Sequence, residues 1–454
     1  MSLGLRLPIL ATGFCLMVGV SLADADIGMD IRATRAQSSL LSGTEAKKIL
    51  PVEWQKYRPD TLARRDEALR RLRVLGLRLA ADQKAGRNRE CSNQIFLEAK
   101  WRALYTGDFN ALDKRIRDLE KSLQTDDQSY ATQQSAADGS WGACYQQAFM
   151  KVEASMLALQ AMFDRQVSPK YAINVMPQLR NGNDAIAMLK ALLVSDVANE
   201  GIDHRSELNA LTTYAAQFGF KSYWQPYLED RVQGLLRDRD PGGIDKIRAE
   251  MRAFLNSWQD PETGYWGAWY RINGRLYRTI DLSITFHLIS YLKGDVHYWP
   301  QIIDTTLKIE GEPYPYGWRY KGGLNNHNNY DVVKIFRYGW PHMAPDQRNR
   351  VRKVMAGMLD WTLTHSLQSD GSFKGDQDFF SSVASDYYFG VSFLDEIGYW
   401  RADNRFWTND DWRGSRATCL RIRQHLASLQ LDDSLILAAR RKLDAGCGSP
   451  VGRD

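Results

Sequence analysis

The chain has 454 residues, 44% hydrophobic and 25% charged, with 59 basic against 54 acidic residues for a formal charge of +5. That apolar content excludes a disordered chain, and so small an excess of positive charge excludes a protein built on long basic stripes for nucleic acid. The unusual feature is the aromatic count: 14 Trp, 21 Tyr and 16 Phe. Such side chains either fill a large core or line a cleft that stacks on flat or cyclic ligands.

In chain order, the first feature is an export signal. One arginine (Arg6) precedes an apolar run from Leu7 to Val20, and Ser21-Leu22-Ala23 follows as a small-x-small cleavage pattern. This reads as a signal peptide over residues 1–23, cleaved after Ala23, for a periplasmic or secreted protein with no stable membrane insertion afterwards. The run is shorter than the roughly 20 residues of a membrane span. Residues 24–45 are small and polar and are expected to be poorly ordered; residues 46–454 are expected to form one domain. Four cysteines follow the signal: Cys91, Cys144, Cys419 and Cys447. An even number in an exported chain suggests two disulfides with three pairings open, and sequence proximity favours Cys91–Cys144 and Cys419–Cys447. There is no CxxC pattern, and the histidines show no ligand spacing, so no metal site and no cofactor are expected.

Amphipathic periodicity predicts helices over 60–85, 93–104, 109–123, 145–163, 184–197, 206–218, 224–236 and 243–258. It continues over 282–292, 298–309, 329–338, 345–366, 385–397, 416–429 and 434–445. No alternating β-branched run stands out, so the expected class is all-α. The connections repeat a glycine beside an aromatic residue: Asp138-Gly139-Ser140-Trp141, Gly264-Tyr265-Trp266, Tyr316-Gly317-Trp318 and Asp370-Gly371-Ser372-Phe373. Trp266, Trp318 and Phe373 lie 52 and 55 residues apart, and an Asp follows each by 13 to 15 residues: Asp281, Asp331 and Asp386. This is an internal repeat of about 50 residues. A unit of two helices and a turn cannot bury its apolar faces alone, whereas stacked units can. Glycine suits the reversal of the chain, and the Asp is placed to cap the following helix. The expected architecture is an (α/α) toroid, an incomplete or full barrel of helical hairpins. The Gln-to-Gly-aromatic turns are similar to those of terpenoid-cyclase and prenyltransferase toroids, a likeness of architecture only.

The densest polar loop spans residues 313–331. It holds Tyr314, Tyr316, Trp318, Arg319, Tyr320, Lys321, Asn325, Asn326, His327, Asn328, Asn329, Tyr330 and Asp331. Loops on a rigid scaffold are where function concentrates. The run Asn325-Asn326-His327-Asn328-Asn329-Tyr330-Asp331-Val332-Val333 resembles the Asn-Asn-His…Tyr-Asp-Val signature of α/α-toroid alginate lyases and heparinase-like polysaccharide lyases. The resemblance implies that Asn326 neutralises a uronate carboxylate, His327 acts as base or electrophile, and Tyr387 or Tyr388 donates a proton. It also implies Tyr316, Trp318, Arg319, Tyr320, Lys321, Asn325, Tyr330, Asp331 and Asp386 as substrate-binding residues, and an acidic polysaccharide or oligosaccharide as partner. The family carries an Arg shortly before the Tyr; residues 376–386 contain none, and Arg319, Lys374 and Arg278 are the candidates for its place.

β-Elimination beside a uronate fits these residue types. Preorganised donors stabilise the developing dianion, His takes the weakly acidic proton, and Tyr protonates the leaving oxygen. Three other readings compete. A glycoside hydrolase on the same ring would use a pair of carboxylates, for which Asp260, Glu262, Asp331, Asp376, Asp378 and Asp386 are available. A non-catalytic glycan-binding protein of exopolysaccharide assembly would use the same loop without turnover. A terpene-type cyclase would need the Asp-x-Asp-Asp motif, which the sequence lacks.

Overall fold

A computed structural model describes residues 59–87, 89–105, 109–125, 134–147, 182–196, 203–220, 243–272, 275–320, 322–374, 383–429, 431 and 434–447, with isolated positions between 150 and 171. The signal-peptide and N-terminal segments and the expected helix over 224–236 lie outside the described residues, as does most of the one expected over 145–163. The class is all-α with a small sheet. Two compact units are distinguished among the described residues, one holding residues 59–258 with Gly267–Thr279, the other Gln259–Trp266 with the chain from Ile280 onward.

The first unit opens with three packed helices, α1 (Pro59–Lys84), α2 (Glu90–Tyr105) and α3 (Phe109–Ser122). Their apolar stripes meet in a core of Leu72, Leu79, Ile95, Ala99, Leu112, Ile116 and Leu119. Glu98 has no exposed surface. It is held by Arg115 at 2.8 Å and Arg102 at 3.4 Å, so this buried charge is paired. The Cys91–Cys144 disulfide forms as proximity favours, with Cα atoms 5.4 Å apart. It ties α2 to the first glycine-aromatic turn, and Gln94 and Glu98 on α2 accept the backbone amides of Cys144 and Gln146.

Next come α4 (Gly182–Leu193), α5 (Arg205–Phe220) and α6 (Gly243–Trp258), packed on one another. Here the expectation of no strands is corrected. β1 (Val194–Ser195), β2 (Trp269–Ile272) and β3 (Arg275–Arg278) form a sheet, β1 parallel and β3 antiparallel to β2. The helix expected to run to Val197 therefore stops at Leu193. The register pairs Ile272 with Arg275, leaving Asn273-Gly274 between the strands, a two-residue hairpin signal flanked by aromatic and apolar residues.

The second unit contains α7 (Leu282–Tyr291), α8 (Trp299–Lys308), α9 (Asn326–Gly339), α10 (Pro345–Trp361), α11 (Val383–Glu396), α12 (Ser415–Ser428) and α13 (Ser434–Cys447). Every other helix packs on the next: α7 on α9, α9 on α11 and α11 on α13. The helices between them pack behind, α8 and α10 on α9 and on each other, α12 on α13. The Cys419–Cys447 disulfide joins α12 to α13, again as proximity favours. Two disulfides fit an oxidising compartment, and no described helix is long and apolar enough to cross a membrane.

Three of the four repeated turns share their glycine geometry, and Gly317 is the exception. Gly139, Gly264 and Gly371 all adopt positive φ, between 68° and 95°, which side chains other than glycine resist. Gln259 donates to the carbonyls of Gly264 (2.8 Å) and His297 (2.7 Å) and accepts the amide of His297. Gln134 does the same to Gly139 and to both backbone groups of Tyr171. Each glutamine thus latches its own turn to a segment 37 or 38 residues ahead. Gln368 in the later turn reaches only the carbonyl of Ser366.

The caps divide. Asp281 caps α7 as expected, accepting the amide of Ile284. Asp331 does not cap. Asn325 caps α9 by accepting the amide of Asn328, so the helix starts before its expected Asn329 and carries Asp331 in its second turn. Asp386 sits in the first turn of α11. The helix expected over 345–366 is regular only to Trp361 and widens into a π turn over Thr362–Ser366.

Gln259 is fully buried, so Gln259→Ala removes three hydrogen bonds and strands their backbone partners. It is expected to lower unfolding stability by about 2–4 kcal/mol in urea titration. Gln368→Ala, at an exposed position with one bond, is expected to change it by less than about 0.5 kcal/mol.

Candidate functional site

The head of α9 is held by its asparagines. Asn325 caps the helix. Asn326 donates from Nδ2 to the Ser366 hydroxyl (2.8 Å) and accepts the Thr362 hydroxyl (3.1 Å), using both ends of the π turn. Asn328 donates to the carbonyl of Trp318 at 2.8 Å, joining the helix to the glycine-aromatic turn before it. These side chains leave α9 in different directions, so the backbone that carries His327 is fixed from several sides.

His327 presents its imidazole on the α9 face that also bears Tyr330, Asp331 and Lys334, the i, i+3, i+4, i+7 stripe of a helix. Phe389 of α11 covers the ring at 4.2 Å between centroids, and Tyr314 covers it at 5.2 Å. About a quarter of the side chain stays exposed. Burial between aromatic rings pulls the imidazole down to about 4, so it is neutral at neutral pH. Asp331 Oδ2 lies 3.7 Å from His327 Nε2, beyond a hydrogen bond, and accepts the Tyr314 hydroxyl at 3.4 Å. Asp331 has no exposed surface, and burial pushes its carboxyl well above the ordinary range against the Tyr314 bond and the nearby Lys334. The imidazole is therefore neutral, and it sits above a carboxyl that burial disfavours in its charged form.

The two tyrosines of α11 part company. Tyr388 lies on the His327 side: Tyr388, Tyr330 and His327 all pack around Phe389, at 5.0, 6.3 and 4.2 Å. Its ring meets Tyr330 edge-on at 6.4 Å, and the Tyr330 hydroxyl receives the Lys334 ammonium at 3.1 Å. Burial pushes both phenols up, so each keeps its proton. Tyr387 turns instead to α12, where its hydroxyl meets His425 Nδ1, and His425 Nε2 stands 3.5 Å from Asp370 of the Asp-Gly turn. Burial, with the Asp370 carboxylate added, raises the Tyr387 phenol too.

Of the other expected substrate residues, Tyr316 and Trp318 are core aromatics, Trp318 edge-on to Phe336. Arg319 pairs with Glu310 at 3.0 Å. Tyr320 forms a tight turn with Gly323. Asp386 is half-buried in α11, and Lys321 lies outside the described residues. The sequence reading missed Lys334, Phe389 and, on α13, Lys442, whose ammonium lies 5.6 Å from the Tyr330 ring centroid. The heptad step from His327 to Lys334 was the available signal, since it keeps two residues on one helical stripe. Among the described residues, no group of three His, Cys, Asp or Glu side chains is placed to hold a metal ion.

The titration of His327 has a stability consequence. Its folded value near 4 lies below its ordinary 6.5, so between these pH values the unfolded chain binds the extra proton and stability falls on acidification. Asp331, raised in the fold, acts with the opposite sign, losing stability as pH climbs from its ordinary 3.8 through its higher folded value. His327→Gln is expected to remove the acid-side loss, shrinking the stability difference between pH 7 and pH 4.5 by about 2 kcal/mol in urea unfolding. An unchanged difference would mean that the imidazole is not buried as described. No protein-family model, no curated protein and no solved structure matches this chain.

Proposed function

We propose that the chain is an exported carbohydrate-active enzyme that cleaves a uronate-containing glycan by β-elimination, with its second unit an arc of an (α/α) toroid. The arc rests on the alternation of helices, α7, α9, α11 and α13 side by side with α8, α10 and α12 behind. The observation that carries the chemistry is the neutral, partly exposed His327 in its aromatic slot, with the protonated Tyr388 on the same side of Phe389. Asn326, His327 and Tyr388 keep the roles that the resemblance implies, and Tyr387 leaves the set because it faces His425.

In this reaction His327 takes the C5 proton of the uronate. The electron pair left at C5 forms the C4–C5 double bond as the C4–oxygen bond breaks, and Tyr388 supplies a proton to the departing oxygen. An imidazole near 4 is a weak base in the empty site. A bound uronate carboxylate raises it, because a nearby negative charge favours the protonated ring. Burial holds the Tyr388 phenol in its acid form, which suits a donor.

One observation favours a second reading, a glycan-binding protein without turnover. The Asn326 amide is engaged by Thr362 and Ser366, which leaves it one free donor proton for a carboxylate.

The deciding experiment incubates the purified protein with a panel of uronate and neutral glycans and follows ultraviolet absorbance and reducing ends together. An unsaturated product is expected. His327→Ala is expected to abolish it, and Tyr388→Phe to slow it by about 100-fold or more. Tyr387→Phe is expected to leave it near wild type. New reducing ends without absorbance would assign a hydrolase, and binding without either signal the non-catalytic reading.

A further inference from the structure

His327 and Asp331 stand one turn apart on α9, and the side chains of a helix lean toward its N-terminus. The Asp331 carboxyl therefore rises under the imidazole, with Oδ2 3.7 Å from Nε2. Tyr314, from the turn before α9, donates its hydroxyl to that same Oδ2 at 3.4 Å and lays its ring against the imidazole, 5.2 Å between centroids. The other carboxyl oxygen, Oδ1, is buried with no hydrogen-bond partner among the described residues. Asp331 has no exposed surface, so it acts on a ligand only through another side chain.

That geometry decides where the imidazole keeps its proton. A neutral imidazole has one N–H and one lone pair. Oδ2 already accepts the Tyr314 hydroxyl, so a proton on the acid form of Asp331 belongs on Oδ1, and Oδ2 stays an acceptor in either state. An acceptor facing Nε2 draws the N–H to that nitrogen and leaves the lone pair on Nδ1. Lys334, on the next turn of α9, adds positive charge that favours the Asp331 carboxylate against its burial. The 3.7 Å gap is longer than a hydrogen bond, as catalytic contacts often are before a substrate tightens them.

We propose that Asp331, buttressed by Tyr314, is a positioning residue that sets the His327 tautomer, so that Nδ1 is the nitrogen that takes the C5 proton. The inference rests on the reading of His327 as the base of the elimination. As Nδ1 takes the proton, the ring becomes an imidazolium, and its Nε2–H meets Oδ2 as a charge-assisted bond. Asp331 takes no proton from the substrate; it orients the ring and stabilises the charge that forms on it, as the buried carboxylate of a catalytic triad does. Because it touches the imidazole and not the sugar, its loss slows the chemical step without weakening binding.

The first test needs no substrate. In the full mature chain, isotope-labelled at the histidine nitrogens, long-range proton–nitrogen NMR at pH 7 reads the tautomer, and His327→Gln identifies the signal. A single Nε2–H tautomer is expected, giving way to a mixture in Asp331→Leu. The Nδ1–H tautomer in the wild-type chain, an outcome that depends on no variant folding, would overturn the assignment, and so would an unchanged signal in Asp331→Leu. On a glycan that yields the unsaturated product, Asp331→Asn is expected to lower kcat by about 100-fold with KM within about threefold of wild type. A raised KM at unchanged kcat would make Asp331 a binding residue and overturn the assignment as well. The expected tautomer response without any unsaturated product would overturn the lyase reading and leave the positioning of His327 standing.

Discussion

The second unit depends on how the first turn of α9 is anchored. A helix start leaves several amide donors open, and a start placed next to a tight turn must also fix its direction. Asn325 satisfies one amide, Asn328 binds the carbonyl of Trp318, and Asn326 fills the π turn at the end of α10. All three are buried, where an amide with a partner is stabilising and one without is costly. Local bonds, turn bonds and long-range bonds therefore agree on one placement of α9. His327, the residue between them, inherits a backbone that its neighbours' side chains fix.

The electrostatics follow from the packing. Phe389, Tyr314 and the body of α9 withdraw His327 and Asp331 from water; burial keeps the imidazole neutral and pushes the Asp331 carboxyl upward, so the 3.7 Å contact is not a charged pair. The same burial keeps Tyr330 and Tyr388 protonated. The imidazole at one end of this α9 stripe is thus neutral, while Lys334 and Lys442 gather at the Tyr330 ring further along.

Much of this was legible in the sequence, for identifiable reasons. Helices with strong apolar periodicity, such as 243–258 and 434–445, were readable to within a residue or two because burial dictates the pattern. Three of the glycine-aromatic turns were readable because positive φ has few chemical solutions; Gly317 is instead required by the close approach of the Ile309 and Glu312 backbone. The disulfides followed from chain proximity. The hairpin of β2 and β3 was passed over although Asn273-Gly274 marked it, because its strands are four residues each. Asp331 was misjudged as a helix opener for a different reason. Its spacing matches Asp281, but the asparagines around His327 offer earlier caps, and a helix starts where its first satisfied amide allows.

The same limit explains the site. Sequence identifies His327 by its neighbours in the chain, and those neighbours turn out to be its anchors. Its partners in space come from α11, from the turn at Tyr314 and from the packing of α13, which no local pattern links to α9. Tyr387 and Tyr388 show this most directly. They are adjacent and chemically identical, yet about 100° of helical rotation sends one to His425 and the other to Tyr330. A motif of the form "His, then a later Tyr" cannot choose between them, whereas the face of α11 that packs on α9 does. Lys334 makes the complementary point: the heptad step places it on the His327 stripe, while only the packing of α13 brings Lys442 to the same ring from the end of the chain.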